Sequence, residues 1–272
     1  MDTQSNSIEV NGLNLHYLEA GQGEVVLLLH GWPTSAYLWR NIIPTLAATK
    51  RVIALDLAGF GKSDKPLHVA YTFDFYTDLI ANFLDQLKIT QANLVVHDLG
   101  GPVGLMWAVR RHQAVLRLVF LNTLIYPKLS WANRLFILAT YVPYFKGRLS
   151  SSKGIKAAMR IGMTTRLDAE GIAAYQEPFQ DAVSQKVLLK TVQGLSIKGL
   201  KEIAHKLPDF KIPVALIYGE DDRILKDVAQ TMQHLKRDMP HAELTAIAEA
   251  GHFLQEDVPE KLSQLLADFL NR

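Results

Sequence analysis

Leu94-Val95-Val96-His97-Asp98-Leu99-Gly100-Gly101 runs from an apolar, β-branched stretch into a carboxylate and then a pair of glycines. This is the strand–turn–helix context of a nucleophile elbow, where the apex residue is often serine in a G-x-S-x-G pattern. Here the apex is Asp98. Serine must lose a proton before it attacks, whereas an aspartate is already anionic at neutral pH. An aspartate nucleophile also forms an ester whose carbonyl belongs to the protein itself. Taken alone, a carboxylate after a strand is as readily a helix cap, so the assignment depends on partners elsewhere in the chain.

Outward from this stretch, apolar runs alternate with amphipathic ones. Strands are expected over 13–17, 25–30, 52–55, 94–97, 116–121, 214–218 and 242–247, and helices over 36–47, 73–87, 102–111, 227–235 and 260–270. Continuous apolar strands separated by helices predict an α/β fold with a mostly parallel sheet flanked by helices on both faces. The alternation stops between 124 and 206, where only helical patterns occur, over 131–140, 152–162, 169–175 and 185–203. The chain therefore divides into a core of residues 1–123 and 207–272 and an inserted helical cap of 124–206. The insert holds 13 Lys/Arg against 5 Asp/Glu, a net +8 within a chain whose total is +2, so the remainder is −6. Such a basic segment is either a solvated outer face or an attractor of anionic ligands or a membrane surface.

Composition narrows the function classes. Of the 272 residues, 49% are hydrophobic, enough for a large core. A net charge of +2 carries no nucleic-acid footprint. With no cysteine, disulfides, thiolate catalysis and cysteine-ligated zinc are excluded. Residues 1–7 are polar, with no signal-peptide pattern, and no apolar run approaches the ~20 residues that span a bilayer. A cytoplasmic protein without membrane contact is the expectation. The oligomeric state is not readable.

Ligands of an open parallel sheet bind beyond the carboxyl ends of its strands. Besides the Asp98 elbow, such ends carry His30-Gly31-Trp32-Pro33, Asp56-Leu57-Ala58-Gly59-Phe60-Gly61-Lys62-Ser63-Asp64 and Gly219-Glu220-Asp221-Asp222. After the last strand comes Ala250-Gly251-His252-Phe253-Leu254-Gln255-Glu256-Asp257. The order carboxylate nucleophile, acid, histidine is that of a catalytic triad on this type of sheet.

With these motifs in this order, the chain resembles the α/β-hydrolase fold, and within it the aspartate-nucleophile branch of haloalkane dehalogenases, epoxide hydrolases and fluoroacetate dehalogenases. The resemblance covers nearly the whole core. It implies that Asp98 attacks an sp³ carbon, that backbone N–H groups of Trp32 and Leu99 form the oxyanion hole, and that His252 activates water. Asp222 would hold the imidazole, with Asp221 the alternative. No cofactor and no metal are implied, and the partners are a small apolar organic substrate and water. The Trp32–Pro33 bond is expected to be cis. His30, Asp56 and His97 are read as structural, with Gly59 and Gly61 at positive φ around the Asp56 turn.

The chain also departs from that branch. Haloalkane dehalogenases place an indole donor for the departing halide after the nucleophile, where this chain has Leu99. The Trp32 indole, or Trp131 in the cap, would be a replacement. Epoxide hydrolases use a pair of cap tyrosines, for which Tyr126, Tyr141, Tyr144 and Tyr175 are candidates. Fluoroacetate dehalogenases carry arginine at the position of Leu99, which disfavours a small carboxylate substrate. The substrate-facing set is expected to include Trp32, Trp131, Tyr141, Tyr175, Phe179 and Phe253. The leading reading is a dehalogenase-like hydrolase, ahead of an epoxide hydrolase. A non-catalytic ligand receptor and a cofactor-independent luciferase-type oxygenase on the same fold are the readings from other classes.

Overall fold

The computed structural model describes residues 2–128 and 130–272. Eight strands form one sheet: β1 (Gln4–Val10), β2 (Leu13–Ala20), β3 (Val25–Leu29), β4 (Arg51–Leu55), β5 (Ala92–Asp98), β6 (Val115–Thr123), β7 (Val214–Gly219) and β8 (Glu243–Ile247). Their spatial order is β1-β2-β4-β3-β5-β6-β7-β8. From β4 to β8 every pairing is parallel, while β1 and β2 add an antiparallel edge. Val25 to Leu29 and Ala92 to Asp98 are buried throughout, as expected for strands covered on both faces. Strand β3 lies between β4 and β5, so the chain order reverses there. The loops that follow β3 and β5 are thereby neighbours at a topological switch point.

The edge hairpin was not anticipated, because Gln4–Val10 is a mostly polar stretch. Its turn is Asn11-Gly12, both at positive φ (53° and 76°), the pairing that a two-residue hairpin of type I′ requires. Two expected helices are broken. The region 36–47 splits into a 3₁₀ turn at Ala36–Trp39 and a short helix at Ile43–Leu46 with Pro44 in its first turn. The region 185–203 splits into Ala182–Gln193 and Ile197–Lys206 around Gly194, where a β-carbon would overlap the Tyr71 carbonyl. An additional helix, Pro143–Leu149, lies between the expected ones.

Between β6 and β7 the described residues contain helices and no strand. This segment is clamped to the sheet-bearing part by a buried cluster. Arg40 donates two bonds to Glu256, at 2.5 and 2.8 Å, and stacks over the Tyr37 ring at 4.0 Å. From the helical segment, the Tyr175 hydroxyl donates to the same carboxylate. The Glu256 side chain is only 2% exposed, so its charge depends on Arg40. Removing one partner of such a pair strands the other in a poorly solvated place. Arg40→Ala is therefore expected to cost about 3 kcal/mol of folding stability in denaturant titration. Glu256→Gln should cost less, because the partly exposed guanidinium can rehydrate. Equal effects would contradict this asymmetry.

Candidate active site

Asp98 ends β5 at φ +46°, a left-handed conformation that non-glycine residues seldom adopt. Two neighbours hold it. The Thr123 hydroxyl donates to the Asp98 carbonyl at 2.7 Å, and the Trp32 N–H donates to Oδ2 at 2.8 Å. Backbones come together so closely here that side chains are excluded. A β-carbon on Gly31 would overlap Asp98, one on Gly100 the His30 carbonyl, and one on Gly101 the Thr123 hydroxyl. This is the physical content of the Gly-Gly pair and of the glycine before Trp32. The helix Gly100–Arg110 starts immediately after the turn and presents its positive end to the carboxylate.

The structure brings His252 and Asp222 to Asp98. His252 is fully buried; its Nδ1 lies 2.8 Å from Asp222 Oδ2 and its Nε2 lies 3.6 Å from Asp98 Oδ1. The second distance is too long for a hydrogen bond. Nε2 has no hydrogen-bond partner among the described residues. Asp222 is the acid on the imidazole, whereas Asp221 is exposed and makes no bond to it. Asp222 Oδ1 accepts from the N–H groups of Ile224 and Leu225 at 2.8 and 2.7 Å.

Further residues support these three, and of them Asn122 and Gly162 were not singled out from sequence. Asn122, at the end of β6, donates to Asp222 Oδ2 at 2.7 Å and accepts from the Gly219 N–H at 3.1 Å, tying β6 to the acid-bearing loop. The Gly162 carbonyl accepts from the His252 N–H at 2.6 Å, and Asp257 accepts from Gly251, Thr164 and Thr165. His97 Nε2 donates to the His252 carbonyl at 2.9 Å, and the two rings lie 4.8 Å apart at a tilt of 52°. Asn122 and His97 lie at the carboxyl ends of their strands and Asp257 in the run after the last strand, whereas Gly162, at the end of a helix inside the insert, carried no such signal.

The expected structural residues serve the same loops. His30 donates through Nδ1 to Gly31 O at 2.9 Å and accepts the Leu57 N–H at 3.1 Å. Asp56 accepts from Ala36 and Lys62 N–H groups and pairs with His16 at 2.7 Å, with Gly59 and Gly61 at φ 94° and 48°. The Trp32–Pro33 bond is cis.

The substrate-facing candidates divide. Trp32 is buried beside Asp98, but its indole N–H donates to the Leu188 carbonyl at 3.2 Å and is already engaged. Phe136, from the helical segment, contacts Trp32 edge-on at 5.0 Å. Phe253 is buried against the His252 ring, and Phe179 packs on Phe60. Trp131 and Tyr141 are exposed instead, and neither makes a hydrogen bond or ring contact with the triad residues among the described residues. Tyr175 is spent on Glu256 and Tyr126 on Asp238, while Tyr144 is exposed. Among the described residues no tyrosine makes a hydrogen bond to Asp98. Asn133, by contrast, is buried with its side-chain N–H₂ unpartnered, three residues before Phe136 on one helix face.

The charges are strongly coupled. Burial alone would lower the His252 pKa, but the Asp222 carboxylate, followed by Asp98, raises it to about 10. Burial would raise both carboxylates, yet the imidazolium and the backbone donors hold each below its ordinary range. His97 is pushed down to about 4 by burial and by the charge on His252, so it adds no second cation.

The α/β-hydrolase fold family matches residues 24–259, and the chain belongs to that family. Within it the chain is of the haloalkane dehalogenase type, and it is an enzyme, a hydrolase. It is 30% identical to a haloalkane dehalogenase of Psychrobacter cryohalolentis over 97% of this chain and 89% of that one. It is 29% identical to a cis-3-alkyl-4-alkyloxetan-2-one decarboxylase of Shewanella oneidensis, over 96% of this chain and 86% of that one. The crystal structure of a haloalkane dehalogenase from Bradyrhizobium elkani superposes with a TM-score of 0.89 at 28% identity, over 99% and 98% of the two chains.

A pH signature follows from the triad. The folded His252 value lies above its unfolded value of about 6.5, so its contribution to stability is complete below about 6.5 and is lost as pH rises toward 10. Asp98 and Asp222 act oppositely, contributing above about 3.9 and losing their effect as pH falls below that. Thermal melts across pH should therefore peak between about pH 5 and 6.5. His252→Gln should flatten the alkaline decline. An alkaline limb unchanged by that substitution would mean the imidazole does not hold its proton in the resting protein.

Proposed function

We propose that this hydrolase acts through a covalent ester on Asp98, with residues 124–206 as a cap over the site. The observation that carries the reading is the unequal treatment of the two carboxylate oxygens. Oδ2 accepts the Trp32 backbone N–H at 2.8 Å, while Oδ1 is 3.6 Å from His252 and not hydrogen-bonded to it. Oδ1 is thus available to attack an sp³ carbon, whose bond to the leaving group breaks as the alkyl ester forms. The leaving group departs with the bonding electron pair.

Ester formation removes one of the two negative charges beside His252. The imidazole then holds its proton less tightly, releases it, and becomes a base. It takes a proton from water, and the resulting hydroxide attacks the Asp98 carbonyl carbon. The oxyanion develops on Oδ2, which already accepts the Trp32 N–H, with the Leu99 N–H as the second donor of this reading. Collapse expels the alcohol product, with the proton returning through His252, and restores the carboxylate. Asp222 stabilises the imidazolium at each stage. The triad's electrostatics therefore order the two half-reactions, since His252 becomes a base after Asp98 is esterified.

For the leaving group, the haloalkane reading has support in the family and in Asn133, whose buried amide N–H₂ is a candidate halide donor. The absence of a converging tyrosine pair among the described residues disfavours an epoxide. A second reading rests on the occupied Trp32 indole and on Leu99, which leave the usual halide donors missing. A strained cyclic ester such as an oxetan-2-one, the ring in the name of the Shewanella relative, carries its own carboxylate leaving group and needs no halide cradle.

Both readings are separated by trapping the ester in His252→Ala, where attack proceeds and hydrolysis stalls. Intact mass is measured after incubation with a bromoalkane, an epoxide and an alkyl-substituted oxetanone. A bromoalkane adduct on the Asp98 peptide adds the alkyl group without bromine and supports the first reading. An adduct of the whole ring from the oxetanone supports the second. Modification at any residue other than Asp98 would refute the ester mechanism.

A further inference from the structure

We propose that the outer face of the helical segment docks on an anionic lipid bilayer. The helix Trp131–Ala139 has two unlike sides. Phe136 points inward onto Trp32, whereas Trp131, Leu135 and Leu138, at spacings i, i+4 and i+7, share the outer face and are exposed. Tyr141 continues this surface through the connecting turn, and the next helix, Pro143–Leu149, adds exposed Tyr144 and Phe145. Trp131 is 71% exposed and Tyr144 70%. Large apolar side chains clustered in this way on a water-facing surface mark an interaction site.

Charge selects the occupant. Between 124 and 167 the chain holds eight Lys or Arg and no Asp or Glu. Lys128, Arg134, Lys146 and Arg148 lie on or beside the two helices, are exposed, and form no ion pair among the described residues. Cations interleaved with Trp, Tyr, Leu and Phe are what an interfacial helix needs at a negatively charged membrane. The ring bodies enter the acyl boundary, their polar tips stay at the headgroups, and the ammonium and guanidinium groups meet lipid phosphates. No helix among the described residues is long and apolar enough to cross a membrane, so the contact is peripheral. It places the side of the molecule that carries Phe136 and Trp32 next to the bilayer. The surface is independent of the chemistry proposed for Asp98.

Vesicle binding tests this. The full-length protein is sedimented with vesicles of phosphatidylcholine alone and of phosphatidylcholine with about one third phosphatidylglycerol. Binding is expected to the second and not the first, and to weaken in about 0.5 M salt. The double substitution Leu135→Glu/Leu138→Glu, at exposed positions, should lower the apparent partition about tenfold or more. Of the four tryptophans Trp131 alone is exposed, so its emission should shift to the blue on binding, and Trp131→Phe should remove the shift. No sedimentation with anionic vesicles would overturn the proposal, as would equal binding by the double variant. Concentration-dependent dimerisation abolished by the double variant, without vesicle binding, would also overturn it and assign the face to a second copy of the chain.

Discussion

The site depends on a near-contact of two backbones, where the loop after β3 meets the end of β5. The Trp32 N–H reaches Asp98 Oδ2 at 2.8 Å because Gly31, Gly100 and Gly101 have no side chains to hold the strands apart. The sheet order supplies the meeting, since β3 and β5 are adjacent although 62 residues separate Leu29 from Ala92 in sequence, as 92 − 29 − 1. A methyl group at any of these three glycines would displace the nucleophile candidate, the Trp32 N–H that bonds it or the helix that faces the carboxylate. One packing constraint thus fixes three chemical features together. The left-handed backbone of Asp98 is the local strain that this arrangement sustains, with Thr123 and Trp32 holding it in place.

The second organising element is a buried imidazole between two carboxylates. Burial opposes every charge in the trio, and each charge persists because of the others. Asn122, Ile224 and Leu225 supply the donors that let Asp222 remain ionised without water. His97 lies tilted against the His252 ring, bonds the His252 carbonyl and, with its pKa pushed down by burial, adds no competing charge. An arrangement balanced in this way responds sharply when one charge is removed, and the proposed alkylation of Asp98 would remove one.

Much of this was legible in sequence. Strands β3 to β7 read as continuous apolar runs because both their faces are covered, and Asp98, Asp222 and His252 lie at or after the ends of β5, β7 and β8, in the order read from sequence. Where the reading failed, the reason was physical. Strand β1 is an edge strand with a mostly exposed polar surface, so only the Asn11-Gly12 turn announced it. Gly194 breaks a helix because a distant segment, at Tyr71, passes too close for a side chain. The Trp32 indole bonds a carbonyl 156 residues away, a pairing that no local pattern encodes. Trp131 and Tyr141 have the composition of pocket residues but face outward, because the helix turns Phe136 and Asn133 inward instead. Asn122 is uncharged and belongs to no motif, yet its amide is what steadies the acid.

The most direct test of the central claim follows one oxygen atom through a single turnover. Enzyme in excess over a substrate that alkylates Asp98 is allowed to react once in ¹⁸O-labelled water. The ester route passes an oxygen already present in Asp98 to the product and takes the solvent oxygen into the carboxylate. It therefore predicts unlabelled alcohol and a labelled Asp98 peptide. Labelled alcohol with an unlabelled Asp98 peptide would mean that water attacks the substrate directly, and would contradict the account.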